Sequence, residues 1–357
     1  MAGNYYTEQS PGRTLYGEFM TAKSRRRIGG ASGEDDLLAR IRSALTGLRA
    51  GASTLRIAIG DDAAIFRPRP GHETILSCDW FLQGTHFLPD LDPPHSVGWK
   101  SLARAVSDLA AMGAEPRCFL MSIALPASHT SKWLGELLRG LRSASSKLNC
   151  AAAGGDTTRG DRVLISMTVI GECRRGRAVL RSGARPGDAI FVSGRLGEAE
   201  LGLRLVRSSK GQIDSRDPRV RKHLYPQPRL ALGAWLSRQR LATSMMDLSD
   251  GLSSDLPRLC EASRVGARIE AGQVPCVNPS EVDTRKYDAH ELALHGGDDY
   301  ELLFTVARQR ISRIPRRFGG IPITLIGRVI REKSILIKIN SLEEIPLTKK
   351  GWDPFRK

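Results

Sequence analysis

Several common kinds of protein are excluded by what this sequence lacks. It has no run of about 18 apolar residues, so no membrane-spanning helix is expected. It has no apolar N-terminal signal followed by small residues, so the protein is expected in the cytoplasm. Its six cysteines (Cys78, Cys118, Cys150, Cys173, Cys260, Cys276) show no C-x-x-C spacing. Most sit in apolar, strand-like runs, which favours reduced, buried thiols over disulfides or a zinc site. The usual nucleotide signatures are missing: there is no G-x-x-x-x-G-K-[ST], no H-R-D or D-F-G, and no G-x-G-x-x-G after a strand. No G-x-S-x-G occurs, which leaves Ser/His/Asp hydrolysis without support. The histidines (72, 86, 95, 129, 223, 290, 295) have no metal-ligand spacing. The most interesting is His86, within Gln83-Gly-Thr-His-Phe87.

Acidic residues are also in the minority. There are 38 Asp and Glu against 54 Lys and Arg, a net charge of +16. Such a balance suits nucleic acid or an anionic small substrate, or reflects a basic proteome. The arginines are dispersed, with Arg104, Arg139 and Arg142 among them, and none forms a basic run interleaved with aromatics. Nucleic acid is therefore not the expected partner. The densest run, Lys23-Ser-Arg-Arg-Arg27, lies in a polar segment without periodicity. Residues 1–31 read as a disordered basic tail.

The remaining length suits about two domains, expected at 32–175 and 180–357. Turn-rich Arg181-Ser-Gly-Ala-Arg-Pro-Gly-Asp188 joins them. In the first, Leu37, Leu38, Ile41, Leu45 and Leu48 mark one helical face. Trp99, Leu102, Val106 and Leu109 mark another, with Asp108 inside that helix. Strands are expected at 55–59, 74–78 and 118–125, and a helix over Trp133 to Leu141. In the second, strands are expected at 189–193, 243–246, 300–305 and 324–329, with helices at 198–206, 228–238, 254–262 and 285–294. This mixed order indicates two-layer α+β halves in preference to a doubly wound sheet.

Because acids are scarce, their positions are informative. Asp61, Asp62, Asp79, Asp108, Asp156, Asp247, Asp250, Asp298 and Asp299 stand where strands or helices end, often beside glycine. One such aspartate is ordinarily a cap or a turn residue. Many of them at strand ends would share a crevice. Carboxylates gathered there repel one another, and hard divalent cations relieve the repulsion. The densest stretch, Ala151-Ala-Ala-Gly-Gly-Asp-Thr-Thr-Arg-Gly160, reads as a glycine loop beside phosphate. Asp156 at its centre would repel a bare phosphate, so the loop is better read as one edge of a metal platform. Arg159 and Arg181 are candidate phosphate clamps.

Seven blocks in order complete the pattern: Gly60-Asp-Asp-Ala-Ala64, Ser77-Cys-Asp79 with Gly84-Thr-His-Phe87, Ser107-Asp-Leu-Ala-Ala-Met-Gly-Ala-Glu-Pro116, Gly154-Gly-Asp-Thr-Thr-Arg-Gly160, the 181–188 turn, Asp247-Leu-Ser-Asp-Gly-Leu252 and Gly296-Gly-Asp-Asp-Tyr-Glu-Leu302. Together, from about residue 33 onward, the chain resembles the thiamine-monophosphate kinase family of the aminoimidazole-ribonucleotide synthetase (PurM-like) superfamily. The resemblance implies a PurM-like two-domain fold whose N-terminal sheets form a barrel across a homodimer. It implies ATP and thiamine monophosphate as substrates, several Mg²⁺ ions, and K⁺ as an optional further ion. Carried over, Asp62, Ser77, Cys78, Asp79, Asp108, Asp156, Asp247 and Asp250 would be metal ligands. Gly155, Arg181 and Ser249 would contact ATP, and His86, Asp298 and Trp352 would line the acceptor side. The sequence departs from the family at Cys78 (often threonine), Asp298 (usually glutamate) and Ala105 (often asparagine). A thiol is a poor Mg²⁺ ligand, although the Cys78 carbonyl could serve.

The acceptor is a phosphate monoester, largely ionised at neutral pH. It needs no general base, and no convincing base is found. Direct in-line transfer is expected without a phosphoenzyme, with no catalytic side chain beyond metal ligands and positioning groups. Two rivals remain: another ATP-using enzyme on the fold, such as a purine-pathway or selenophosphate synthetase, and a basic nucleic-acid-binding protein that has lost catalysis.

Overall fold

The computed structural model of the chain describes residues 33–47, 54–209, 214–278, 286–340 and 343–355. The expected basic tail and Leu48 lie outside them.

The N-terminal half is a sheet covered by two helices. After α1 (Glu34–Leu45) and the short strands β1 (Leu55–Ile57) and β2 (Ile65–Phe66) come β3 (His72–Leu82), α2 (Pro94–Ala111), β4 (Glu115–Leu125), α3 (Lys132–Leu148), β5 (Ala151–Arg159) and β6 (Leu164–Arg174). The sheet order is β3-β6-β4-β5, antiparallel except for the parallel β4–β5 pair. Helices α2 and α3 bury Leu102, Val106, Leu109, Leu134, Leu137 and Leu141 against Phe119, Ile165 and Met167. The two helices approach so closely that a Cβ on Gly140 would lie 1.8 Å from the His95 carbonyl.

Successive residues of a strand point to opposite faces. In β3, Thr74, Leu76, Cys78 and Trp80 are exposed on the face away from α2, while Phe81 is buried toward it. The 154–159 stretch is the second half of strand β5, not the expected loop. Parallel pairing with β4 satisfies its backbone, and a register shift beside Phe119 absorbs the extra residue.

The C-terminal half adds β7 (Ala189–Ser193), α4 (Glu198–Ser208), α5 (Pro218–Leu224), α6 (Leu230–Arg238), β8 (Ala242–Leu248), α7 (Leu252–Ser263), β9 (Gly266–Glu270), α8 (Ala289–His295), β10 (Glu301–Val306), β11 (Arg317–Phe318), β12 (Ile321–Ile330), β13 (Ile335–Lys338) and β14 (Glu344–Pro346). Its sheet order is β14-β13-β9-β12-β7-β10-β8, with β11 on β12. One core joins the sheet to α7 through Ile190, Leu248, Leu256 and Ile326. A second joins it to α6 through Phe191, Phe304, Leu232 and Leu236, and includes Ala110 and Ala111 from the end of α2. Helix α2 is therefore shared by both halves. Strands β9, β13 and β14 and helix α5 were not expected, since each is short and lacks strong periodicity.

The fold is a mixed α/β architecture of two halves, each a sheet with helices packed on it. Neither sheet closes on itself among the described residues. No described helix is long and apolar enough to cross a membrane.

Candidate active site

A cavity of about 560 Å³ opens between the two halves. Asp79 from β3 and Arg104 and Asp108 from α2 line it, with Asp247, Ser249 and Asp250 from the end of β8 and its following turn. His86, Asp298, Tyr300 and Trp352 complete another part of its wall. Elements far apart in sequence thus bring many of the expected site residues together.

The acidic part is electrostatically strained. Burial, reinforced by the Asp108 carboxylate, lifts Asp79 to about 6 despite opposition from Arg104. Burial and Asp108 also push Asp247 well above the carboxylate range. The Ser77 hydroxyl donates to Asp108. Asp250 is ion-paired with Arg258, which also holds Asp255 at 2.7 Å. Asp255 accepts the Ser249 and Asp250 amides at 3.0 Å each, fixing the 247–251 turn at the head of α7. Hard oxygen donors in excess of nearby cations suit Mg²⁺. Among the described residues, no three Asp, Glu, His or Cys side chains converge closely enough to hold a metal ion by themselves.

The opposite part is a chain of hydrogen bonds. Lys100, 4% exposed, contacts Asp298 at 2.7 Å, and the Tyr300 hydroxyl donates to the same carboxylate at 2.6 Å. Lys100 also lies 3.3 Å from His223 Nδ1, whose Nε2 is 3.3 Å from Asp92. Burial would raise the Asp298 pKa, but Lys100 and Arg104 outweigh it and hold the group firmly ionised. The Leu82 amide donates to His86 Nδ1 at 3.0 Å. Burial, aided by Arg104, lowers His86 to about 4. Its imidazole is therefore neutral, and Nε2 carries the proton.

The C-terminal segment closes this end. The Trp352 amide donates to the Asp250 carbonyl at 3.0 Å. A Cβ on Gly351 would stand 2.1 Å from that carbonyl, so only glycine permits the approach.

Other expected residues lie elsewhere. Asp62, Gly155, Asp156 and Arg181 do not line the cavity. Asp62 is exposed beside Asp61, and Arg159 is exposed at the end of β5. Asp156 pairs in register with Ser122, on the sheet face that carries Trp80. The Cys78 thiol is on that same face, 3.4 Å from the Ser166 and Thr168 hydroxyls. It points away from Asp79, which leaves only its backbone as a possible ligand on the cavity side. Ala105 is fully buried in α2. The sequence reading missed Lys100, Tyr300 and Arg258, and it noted Arg104 only among the dispersed arginines. A signal was available: Lys100, Arg104 and Asp108 recur every four residues on a helix that is otherwise free of Lys, Arg, Asp and Glu.

Comparison with known proteins agrees with this architecture. Residues 60–173 match the family of AIR synthase related proteins, N-terminal domain, and residues 185–339 match the corresponding C-terminal domain. Thiamine-monophosphate kinase of Escherichia coli (strain K12) is 36% identical over 331 residues, spanning 91% of this chain and 99% of that protein. The Bacillus subtilis (strain 168) enzyme is 33% identical over 313 residues, spanning 85% and 95%. Among solved structures, thiamine-monophosphate kinase from Stenotrophomonas maltophilia K279a superposes with a TM-score of 0.73 at 33% identity, covering 84% of this chain and 95% of that one. AaThiL complexed with AMPPCP and TMP gives 0.70 at 30% identity, covering 94% and 100%. A hydrogenase maturation protein HypE in complex with ATP, at 18% identity and a TM-score of 0.69, shares the fold. This chain belongs to the thiamine-monophosphate kinase family, within the PurM-like superfamily.

Proposed function

We propose that this protein transfers the γ-phosphoryl group of ATP to the phosphate of thiamine monophosphate, giving thiamine diphosphate and ADP. The observation that carries the reading is one cavity joining Asp79, Asp108, Asp247 and Asp250 to His86, Asp298 and Trp352. The acidic part suits a metal-bound triphosphate, with Ser249 beside it. The other part suits a cationic, aromatic acceptor that meets an ionised Asp298 and the Trp352 ring.

Asp79, Asp108, Asp247 and Asp250 would hold Mg²⁺, which when bound would supply the positive charge that offsets repulsion between the two phosphorylated substrates. The chain's own residues orient the acceptor. A neutral His86 can donate one hydrogen bond from Nε2, and it serves as a contact, not as a nucleophile. With the acceptor oxygen already ionised, transfer is direct and in line.

We also propose a homodimer through the open face of the N-terminal sheet. Leu76 is 65% exposed and Trp80 59%, and Leu120 and Leu164 share their face. An apolar stripe of this kind favours burial. Asp156 lies on the same face, and a carboxylate buried there calls for a cation. Joining two such sheets into a barrel would thus make Asp156 a ligand at the interface. Leu76→Asp, followed by sedimentation, tests this: a wild type already monomeric at micromolar concentration sinks the dimer.

The decisive assay for the activity is ADP release by purified protein and Mg²⁺, with K⁺ varied, comparing thiamine monophosphate, thiamine and no acceptor. ADP release that ignores the acceptor, or a phosphorylated side chain trapped during turnover, would overturn the proposal.

A further inference from the structure

Helix α2 presents Lys100, Arg104 and Asp108 at i, i+4 and i+8, so the three side chains form one stripe. Asp108 belongs to the acidic part of the cavity, and Lys100 is bonded to Asp298 at the acceptor part. Eight residues of helix span about 12 Å, so Arg104 stands midway between the two parts. That is where the acceptor's phosphate must lie to meet the donor's γ-phosphate.

The two cations of the stripe are in different states. Lys100 is already engaged by Asp298 at 2.7 Å. Arg104 lines the cavity, and its Nε is buried without a hydrogen-bond partner. Its guanidinium carbon lies 5.3 Å from the Phe81 ring centroid, which supports the planar group on one side. Burial opposes its charge, and the carboxylates of Asp298, Asp79 and Asp250 favour it. A buried donor without a partner is costly and invites a ligand. A guanidinium presents paired N–H groups that match phosphate oxygens.

We propose that Arg104 binds the phosphate of the acceptor and thereby selects a phosphorylated acceptor over its unphosphorylated counterpart. Arg104 is a binding residue at the reacting group, supplied by this chain in addition to the metal-holding acids. The inference rests on the phosphoryl-transfer reading above.

The test measures binding of thiamine monophosphate and of thiamine by calorimetry, with Mg²⁺ and AMPPCP present, for the wild type, Arg104→Gln and Arg104→Lys. Loss of a charge-assisted contact predicts about a 10- to 100-fold weaker binding of thiamine monophosphate to Arg104→Gln. Thiamine should bind all three proteins equally. Arg104→Lys, with the charge but not the fork, should fall between. Steady-state KM for the acceptor should rise in parallel, with KM for ATP unchanged. An equal loss for both ligands means that Arg104 only supports the fold, and the proposal fails. A rise confined to the KM for ATP places Arg104 on the donor, and it fails as well. Should wild-type protein bind and phosphorylate no thiamine monophosphate, the underlying reading fails, which the wild-type control reveals before any variant is compared.

Discussion

Replacing Asp79 with asparagine should stabilise the metal-free protein while removing its activity. Burial and Asp108 raise the Asp79 pKa from 3.8 to about 6. In the folded protein the carboxylate therefore resists ionisation more than it does in the unfolded chain. Its contribution to stability is complete below pH 3.8 and is lost as pH rises through about 6. The shift corresponds to roughly 3 kcal/mol as an upper figure, since neighbouring acids share the effect. Asparagine has nearly the same shape and no ionisation. At about 2–4 °C per kcal/mol that upper figure corresponds to roughly 6–12 °C, so Asp79→Asn should raise the Tm by several degrees, and by no more than this, at pH 8 in EDTA. At pH 4, where Asp79 is largely protonated in the fold, the variant and wild type should differ little. Mg²⁺ should then raise the wild-type Tm more than the variant's, because it binds the ionised form. Scanning fluorimetry across pH, with EDTA or Mg²⁺, reads all of this. If Asp79→Asn is less stable than wild type at pH 8 in EDTA, the argument for a repulsive, cation-seeking array is refuted.

The remaining predictions concern individual supports of the site. Glu301, fully buried, is bound by Arg229, Lys222 and the Ser193 hydroxyl. Glu301→Gln should cost about 3–5 kcal/mol in denaturant unfolding, the range for breaking a buried pair. Burial would raise the Glu301 pKa, but Lys222 and Arg229 override it and hold the group at about 2. The stability it contributes is therefore present above pH 4.5 and lost as pH falls toward about 2; an acid titration of Tm that matches the variant's across this window would contradict the pairing. His86→Phe should raise KM for the acceptor without removing any inflection of the pH–rate profile between about pH 6 and 8, because His86 is already neutral there. Loss of an inflection in that range would restore His86 as an acid–base group. Gly351→Ala should force Trp352 away from the cavity, since the new Cβ meets the Asp250 carbonyl. The expected readout is a higher acceptor KM with an unchanged KM for ATP, and equal effects on both would argue against Trp352 as an acceptor contact.

Much of the fold could be read from sequence because its long elements carry strong periodicity. The apolar face of α2 is a case in point, and β4 and β7 stand out as short continuous apolar runs. The 154–159 stretch was misread as a loop because glycine is scarce in strands, and only tertiary pairing with β4 makes it one. The site was legible as a set of aspartates, since acids at element ends stand out in a basic chain. Their partition was not. The period-2 alternation of β3 puts Asp79 in the cavity and the Cys78 thiol on the opposite face. For Asp156, a bulge and three strand pairings decide the face, and no local pattern encodes them. Lys100 and Arg104 were legible in principle, as charges on a helix that is otherwise buried.

The segment Asp298-Asp-Tyr-Glu301 shows why a motif cannot assign its own residues. Its three acids all follow a short helix and two glycines, and they look equivalent in sequence. Asp298 has φ +66, which aims its carboxylate into the cavity, where Lys100 and Tyr300 hold it ionised. Asp299 points the other way and accepts the Gly197 and Ala199 amides at 2.6 and 3.0 Å, capping α4. Glu301 begins β10 and is consumed by Arg229 and Lys222. Asp299 and Glu301, satisfied by amides or by an arginine and a lysine, belong to the scaffold, because removing them leaves buried partners unpaired. Asp79 and Asp247 are opposed chiefly by burial and by other acids, so the fold alone gives no reason to keep them charged. On the phosphoryl-transfer proposal this cluster is where Mg²⁺ would bind, and a bound cation would relieve the repulsion that weakens the folded state at neutral pH.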